Sequence, residues 1–201
     1  IEEYVRPARF VVDGKVVVKE ALSEPELVEF DGVGTLEAFN TDGLRSLTRL
    51  PVPNMNEKTL RYPGHIALMK VLRDTRFFSS TPIRIGDAEV RPLDVTSALL
   101  FPKWTFAPGE ADVTVLRVTA SGGGKTMRWD LVDRYDAATD LRSMSRTTAY
   151  PAAAFARLLL DGQINKPGVH APEAFATKDV VDRVLADLAA RGVQLVASVE
   201  G

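Results

Sequence analysis

Residues 112–135 read DVTVLRVTASGGGKTMRWDLVDRY. Two β-rich runs, residues 112–120 and 125–135, flank a Ser-Gly-Gly-Gly turn, and this pattern predicts an antiparallel hairpin. A shorter hairpin is predicted near the amino end, where Asp13-Gly14 separates two further β-rich runs. The predicted strands cluster without regular alternation with helices, so the sequence favours an α+β fold over a parallel βαβ sheet.

Helices are predicted where apolar residues recur every three to four positions. The first predicted helix follows Gly64, because Ile66, Met69 and Leu72 then share one face. A second short helix is predicted over residues 92–100. The first segment places Lys70, Arg73 and Asp74 opposite the apolar stripe, as a helix packed on a core does.

The remaining boundaries are predicted from residues typical of helix ends. Pro102 predicts a loop after the second helix. Residues 143–148 are predicted as a third strand, after which Pro151 is predicted to open a helix that Gly162 ends. A last helix is predicted to begin after Thr177, whose side chain would cap it.

The composition describes an ordinary soluble chain and excludes several classes of protein. The 201 residues are 45% apolar and 26% charged, which suits a single compact domain. The sequence has no cysteine, which excludes disulfides and cysteine-ligated metals and suits a reducing, cytoplasmic location. The net charge of −2 disfavours nucleic acid as a partner, and no apolar run is long enough to cross a membrane. The amino end has neither an initiator Met nor a signal-peptide pattern, which suggests a domain excised from a longer chain.

Motifs for cofactors and metals are incomplete. Gly32-Val33-Gly34 resembles the start of a dinucleotide fingerprint, but Glu37 stands where the third glycine is needed. Gly124-Lys125-Thr126 leads into a predicted strand and not into the helix that a phosphate loop requires. His65 and His170 are the only histidines, so no metal site is predicted.

One carboxylate is predicted to be buried. The alternation along residues 125–135 places Asp133 on the apolar face of its strand. A buried carboxylate needs a charged or hydrogen-bonding partner, and Arg146 and Arg117 are both candidates.

Residues 54–65, NMNEKTLRYPGH, are the richest in functional side chains. They approach the start of a predicted helix, where free amides and the helix dipole favour an anion. Arg61 could grip a carboxylate with its planar fork, and His65 could titrate near neutrality. The alternative is that Arg61 forms a surface pair with Asp42 and that His65 is an ordinary polar residue of the first turn.

Several segments resemble, in order, the saccharopine dehydrogenase family, specifically its substrate-binding, C-terminal catalytic domain. They are LEAFNTD (36–42), TLRYPGH (59–65), LVDRYD (131–136), SMSRTTAY (143–150), LLLDG (158–162) and GVHAPE (168–173). The resemblance covers roughly residues 10–195, and the run from residue 40 to Arg61 is most similar to the lysine 6-dehydrogenase branch.

The resemblance implies half of a two-domain oxidoreductase that acts on a lysine-type amine. It implies a mixed, largely antiparallel sheet with helices on one face, and NAD(P) bound by a Rossmann domain whose fingerprint is absent from these residues. The chain alone is therefore not expected to bind NAD(P). A homodimer is expected through the uncovered sheet face, with Met127 and Trp129 as candidate contacts.

The implied site residues fall into two groups. The candidates for proton transfer are Lys58, Tyr62 and His65. The candidates for binding the amino-acid substrate are Asn40, Arg61, Arg146, Thr147 and Tyr150. The alternative function is a non-catalytic binding or dimerisation module derived from the same family.

Overall fold

The computed structural model describes residues 1–200, which form two compact units. The first unit is Ile1–Phe106 and the second begins at Ala107. The sequence predicts that both belong to one domain of a larger enzyme, and that assignment stays a prediction. The α+β class is confirmed, since each unit combines helices with antiparallel strands.

The first unit contains three small antiparallel sheets and two α-helices. Its strands are β1 (Ala8–Val12), β2 (Lys15–Lys19), β3 (Glu26–Phe30), β4 (Gly34–Asn40), β5 (Lys58–Arg61), β6 (Ile83–Ile85) and β7 (Ala88–Val90). Its helices are α1 (His65–Asp74) and α2 (Pro92–Trp104), with single 3₁₀ turns at Glu2–Tyr4 and Arg45–Arg49. Strands β1 and β2 form the predicted hairpin, while β3, β4 and β5 form a sheet of three strands.

The core of the first unit lies between α1 and the residues that surround β4. The predicted stripe on α1 is confirmed at Ile66 and Met69, which are 2% and 5% exposed. They pack with Phe39 of β4 and with Tyr4 of the first 3₁₀ turn. Because Tyr4 joins this cluster, the amino-terminal turn is held next to the start of α1.

The second unit is one antiparallel sheet with two helices. Its elements are β8 (Val113–Gly122), β9 (Lys125–Arg134), α3 (Ser143–Leu160), α4 (Lys178–Ala189) and β10 (Val196–Glu200), with a 3₁₀ turn at Pro172–Phe175. The order of strands is β10-β9-β8, which confirms the hairpin predicted from residues 112–135. The cap at Thr177 is also confirmed, because its Oγ1 accepts a hydrogen bond from the Val180 amide.

The predicted strand over residues 143–148 is wrong, because these residues form the first turns of α3. Asp112 stabilises this helix start by accepting hydrogen bonds from the amides of Ser143 and Met144, at 2.7 and 2.9 Å. Pro151 lies inside α3 and does not open it. Pro102 likewise lies inside α2, where a loop was predicted.

The apolar face of the second sheet lies on the same side as its helices. Leu131 packs on Leu188 of α4, and the register of β9 puts Trp129 and Met127 on the face of Leu131. The opposite face carries Arg117, which pairs with Asp130 across the strands. Met127 and Trp129 therefore lie on the side of the sheet that carries the helices, where Met127 is 42% exposed, and the homodimer and its contacts stay predictions.

Candidate functional site

The candidate site is built where β5 passes into α1. Arg61 ends β5, and Gly64 precedes the helix with a φ of +93°, a conformation that favours glycine. This turn places His65 at the first position of α1. Arg61 and His65, which lies four residues beyond the end of the strand, are thus held at one edge of the sheet that β3, β4 and β5 form.

His65 contacts a buried tyrosine from the amino-terminal turn. The Tyr4 hydroxyl lies 3.0 Å from His65 Nε2, and the two ring centres are 5.6 Å apart. Tyr4 is 5% exposed, with Phe78 stacked on its ring and Phe39 tilted against it. The apolar packing fixes the position of the hydroxyl, and the hydroxyl in turn fixes the imidazole.

Arg61 pairs with Glu3 and not with Asp42. Its guanidinium donates to Glu3 Oε1 at 2.8 Å and to the carbonyl of Leu60 at 2.8 Å. Asp42 is bound instead by Arg9, through two hydrogen bonds of 2.8 and 2.9 Å. The Arg61 side chain remains 38% exposed, so part of its fork faces solvent.

The groups around His65 shift its proton affinity in opposite directions. Burial lowers the pKa of His65, and the positive charge of Arg61 lowers it further. The carboxylates of Glu3 and Glu37 oppose this fall. Burial, together with the charge and hydrogen bonding of Glu3, raises the pKa of Tyr4 to about 12, so its phenol stays protonated.

The start of α1 is occupied by a carboxylate of the chain itself. Glu37 of β4 lies opposite Arg61 of β5, and its Oε2 accepts a hydrogen bond from the Gly64 amide at 3.1 Å. The anion predicted at these amides is therefore supplied by Glu37. A substrate carboxylate at this end of α1 would meet the Glu37 carboxylate, whereas part of the Arg61 side chain is exposed.

A pocket of about 180 Å³ adjoins this cluster, and Glu3 belongs to both. The opposite wall includes Glu57, whose Oε2 accepts hydrogen bonds from the Thr41 hydroxyl and the Gly43 amide. A Cβ at Gly43 would overlap the Glu57 carboxylate, so this contact needs glycine. Thr59 lines the same pocket and shares a face of β5 with Arg61, which sets the pocket beside the arginine.

The other predicted residues of the first unit lie close in sequence but in different surroundings. Asn40 is fully buried, and its amide donates to Ser23 Oγ at 2.9 Å. Lys58 pairs with Glu26 at 3.0 Å and donates to the carbonyl of Glu24 at 2.7 Å. Tyr62 is 63% exposed. The structure thus brings together Arg61 and His65, whereas Asn40 and Lys58 brace the turn between β2 and β3.

The three remaining candidates belong to α3 in the second unit. Arg146 is 7% exposed, and its guanidinium bonds to Asp133, Asp136 and the carbonyl of Arg191. This arrangement confirms the buried ion pair predicted for Asp133. The Tyr150 ring packs against the guanidinium of Arg146, and Thr147 donates to a carbonyl of its own helix. As substrate contacts, Arg146, Thr147 and Tyr150 stay predictions, and their observed contacts are structural.

Sequence reasoning missed three residues that complete the cluster. Glu3 and Tyr4 lie about 60 positions before Arg61 and His65, and no local pattern connects them. Glu37 was considered only as the residue in place of the third glycine of the dinucleotide fingerprint and as part of the segment LEAFNTD, and not as a site residue. Only the composition near the amino end could have pointed to Glu3 and Tyr4, where an acidic and an aromatic side chain are adjacent.

The two glycine motifs lie at hairpin turns, and residues 1–200 hold no cluster of metal-ligating side chains. Among residues 1–200, no group of three or more His, Asp and Glu side chains could hold a metal ion. Gly32 and Gly34 lie at the turn between β3 and β4, and Gly122–Gly124 at the turn between β8 and β9. Neither turn leads into a helix, so neither presents helix amides to a pyrophosphate. No helix in this part of the chain is both long and apolar enough to span a bilayer.

A comparison with protein-family models places the chain in a family. The model described as the saccharopine dehydrogenase C-terminal domain matches residues 1–193. The match includes the first unit, the second unit up to residue 193 and every candidate site residue. Membership of this family indicates the substrate-binding domain of an amino-acid oxidoreductase. The chain belongs to the saccharopine dehydrogenase C-terminal domain family.

Proposed function

We propose that this chain is the substrate-binding domain of an NAD(P)-dependent dehydrogenase that oxidises a lysine-type amine. The observation that supports this most strongly is the pairing of an exposed arginine fork with an imidazole of lowered pKa at one edge of a sheet. Oxidation of an amino acid's amine needs a base that accepts the amine proton, and a carboxylate anchor would orient the substrate. Arg61 and His65 supply these two chemistries within one cluster.

Arg61 is proposed to bind the carboxylate of the substrate. Its guanidinium donates one hydrogen bond to the Glu3 carboxylate, its side chain is 38% exposed, and Glu3 lines the neighbouring pocket. That pocket is lined by charges of both signs, which suits an amino acid carrying an ammonium and a carboxylate group. Lysine 6-dehydrogenase and saccharopine dehydrogenase activities are the two candidate reactions.

His65 is proposed to accept the proton that the substrate amine loses. Because burial and Arg61 lower the pKa of His65, its neutral form prevails near pH 7 and keeps a lone pair for the proton. Lys58 is the weaker candidate, since its ammonium is held by Glu26 and a carbonyl. The glycine motifs of this chain lie at hairpin turns and not at helix starts, and we propose that NAD(P) binds a Rossmann domain of the same polypeptide.

The anchor is tested by the variant Arg61→Lys in the full-length enzyme. Lysine keeps the charge but loses the planar fork. If the contact is equal in the ground and transition states, KM rises and kcat changes little. A charge-assisted hydrogen bond contributes about 1.5–3 kcal/mol, so kcat/KM should fall about 10- to 150-fold.

Arg84→Lys is the matched control, because Arg84 is exposed on the β6–β7 hairpin. Activity is measured with L-lysine and with saccharopine, which separates the two candidate reactions. An Arg61→Lys enzyme with unchanged kcat/KM would contradict the anchor. Absence of NAD(P) reduction with any amine substrate would favour the non-catalytic module.

A further inference from the structure

Helix α2 carries apolar residues on two opposite sides, and one side packs within the first unit. This inner side holds Leu93, Thr96 and Leu100, which recur at helical spacing. Thr96 is 4% exposed, and its hydroxyl donates to the carbonyl of Phe77 at 2.8 Å. Leu93 and Leu100 are half-buried. The inner side therefore fixes α2 to the segment that precedes it.

The opposite side of α2 is a stripe of exposed apolar residues. Helical spacing places them together, and this surface, called the outer face of α2, consists of Val95, Ala98, Leu99, Phe101 and Pro102. Leu99 is 66% exposed and Phe101 is 52% exposed. The Trp104 ring continues the apolar surface, because its centre lies 6.4 Å from that of the Phe101 ring.

This composition is unusual for the exposed side of a helix. A helix that faces water on one side normally carries charged residues there, and a helix that is apolar all round is normally buried. No charged residue occurs from Val95 to Pro102. The outer face of α2 therefore has the composition of a surface that a partner covers.

The size of this surface fits a stable dimer. The exposed parts of Val95, Leu99, Phe101 and Trp104 amount to roughly 400 Å² of apolar area. A standard interface removes about 800 Å² from each partner, and a little over half of that area is apolar. The outer face of α2, together with Trp104, thus supplies about the apolar area that one partner contributes.

The absence of charge favours a second copy of the chain as the partner. In a two-fold dimer the same patch meets itself, so a patch with charges of one sign would repel its copy. An uncharged apolar stripe has no such conflict. Contacts between domains of one chain are more polar than those of permanent dimers, which argues against a further domain of the same polypeptide on this face.

We propose that two copies of this chain associate about a two-fold axis through the outer face of α2. Leu99 and Phe101 then pack against the outer face of the other copy and are removed from water. This surface differs from the sheet face that the sequence predicts as the dimer contact, with Met127 and Trp129. The proposal is independent of the proposed reaction, since it uses no residue of the candidate site.

The first experiment is light scattering of the chain over a wide range of protein concentration. The expected mass is twice the 22.0 kDa of one chain. Leu99→Glu places two like charges in the contact, so the dissociation constant of the dimer should rise at least about thirtyfold, the loss typical of an interface hot spot. Leu160→Glu is the matched control, because Leu160 is an exposed leucine at the end of α3, and it should leave the dimer unchanged. Far-UV circular dichroism checks that each variant is folded.

Two results of this experiment would overturn the proposal. A chain that is monomeric at every concentration would show that no second copy covers the outer face of α2. A dimer that Met127→Glu dissociates and Leu99→Glu leaves intact would place the contact on the second sheet.

The second experiment detects the contact without disrupting it. The chain has no cysteine, so Leu99→Cys and Leu160→Cys each accept a single nitroxide label. Packed helices lie about 8–10 Å apart, so the labels at position 99 of two copies should broaden each other's EPR spectrum. Dilution with unlabelled chain should remove this broadening, and the label at position 160 provides the spectrum of a position outside the contact. An unbroadened spectrum at position 99 in a dimeric sample would exclude the outer face of α2 as the interface.

Discussion

Arg61 and Arg146 were both predicted to bind substrate, yet they occupy different environments. The Arg146 side chain is 8% exposed, and its guanidinium bonds to the carboxylates of Asp133 and Asp136 and to a backbone carbonyl. Arg61 is 38% exposed and meets one carboxylate, that of Glu3, together with the carbonyl of the preceding residue. One guanidinium is saturated by the fold, while the other keeps an open edge.

The difference separates a charge that organises a core from a charge that can bind a ligand. Desolvating Arg146 and Asp133 is costly, so each needs the other in place when the second unit folds. The Glu3–Arg61 pair is partly in water, where exchange of one carboxylate for another costs little. Residue type and motif predict the same role for both arginines. Burial separates them, because Arg146 is held in a structural ion pair while Arg61 remains partly exposed to a ligand.

The largest expected effect is the loss of the buried pair in Arg146→Ala. The variant leaves the Asp133 carboxylate buried, 5% exposed and without its arginine. Breaking a buried ion pair by removing one partner typically costs about 3–5 kcal/mol of unfolding free energy. Urea unfolding of the chain, followed by circular dichroism, measures the change.

Two more exposed arginines, Arg157 and Arg61, test whether burial is the reason for the large loss of stability in Arg146→Ala. Arg157 lies on the same helix and pairs with Asp187 at 3.4 Å, but it is 44% exposed. Arg157→Ala and Arg61→Ala are each expected to cost no more than about 1 kcal/mol. If Arg146→Ala costs no more than these two variants, the structural role assigned to Arg146 is wrong.

A smaller effect is expected where α3 begins. Asp112 accepts hydrogen bonds from the amides of Ser143 and Met144, and this cap sets the turn that carries Arg146 to Asp133. Asp112→Ala should lower the unfolding free energy by about 1–2 kcal/mol, since a cap and its favourable charge at a helix start are lost together. Asp112→Asn retains one acceptor oxygen, so its unfolding free energy should lie between those of the unaltered chain and of Asp112→Ala. Equal stability of all three proteins in urea would exclude the cap.

The start of α3 also illustrates how far the sequence predicts the fold. Thr177 caps α4 from the adjacent position, so a local pattern predicts that helix. Asp112 caps α3 from 31 positions away, and the Ser-Thr-rich segment it caps has the composition of a strand. Pro151 was assigned to a helix start because an interior proline usually costs about 3 kcal/mol, yet α3 continues through it. At α3, contacts between residues distant in sequence outweigh the local preference for a strand or a helix end. Such contacts cannot be predicted from a short stretch of sequence.

The candidate site likewise contains residues that a local motif predicts and residues that only tertiary packing brings together. Arg61 and His65 share a short segment, so their motif predicts them together. Glu3 and Tyr4 reach them through the packing of Tyr4 on Phe39 and Phe78, which no spacing encodes. Asn40 carries the right chemistry but is buried under the turn of Ser23, so its motif position did not predict its exposure.

The smallest expected effect concerns His65 and the pH dependence of stability. Burial and the charge of Arg61 lower the pKa of His65 in the folded chain below its value of about 6.5 in the unfolded chain. The unfolded chain therefore binds more protons in this range, and stability rises with pH. The contribution of His65 is present above about pH 6.5 and is lost as the pH falls through that value towards the lower folded pKa.

The variant His65→Gln should remove this dependence, because glutamine does not titrate. Its unfolding free energy in urea, compared with that of the unaltered chain between about pH 5 and pH 7.5, should vary less with pH. Carboxylates that titrate near pH 5 are common to both proteins and cancel in the difference. Since His65 keeps some contact with water, the change should be smaller than that of Asp112→Ala. Parallel stability curves would mean that His65 has the same proton affinity in the folded and unfolded chains. The open cluster around Arg61 would then lack the tuned base that distinguishes it from the saturated cluster around Arg146.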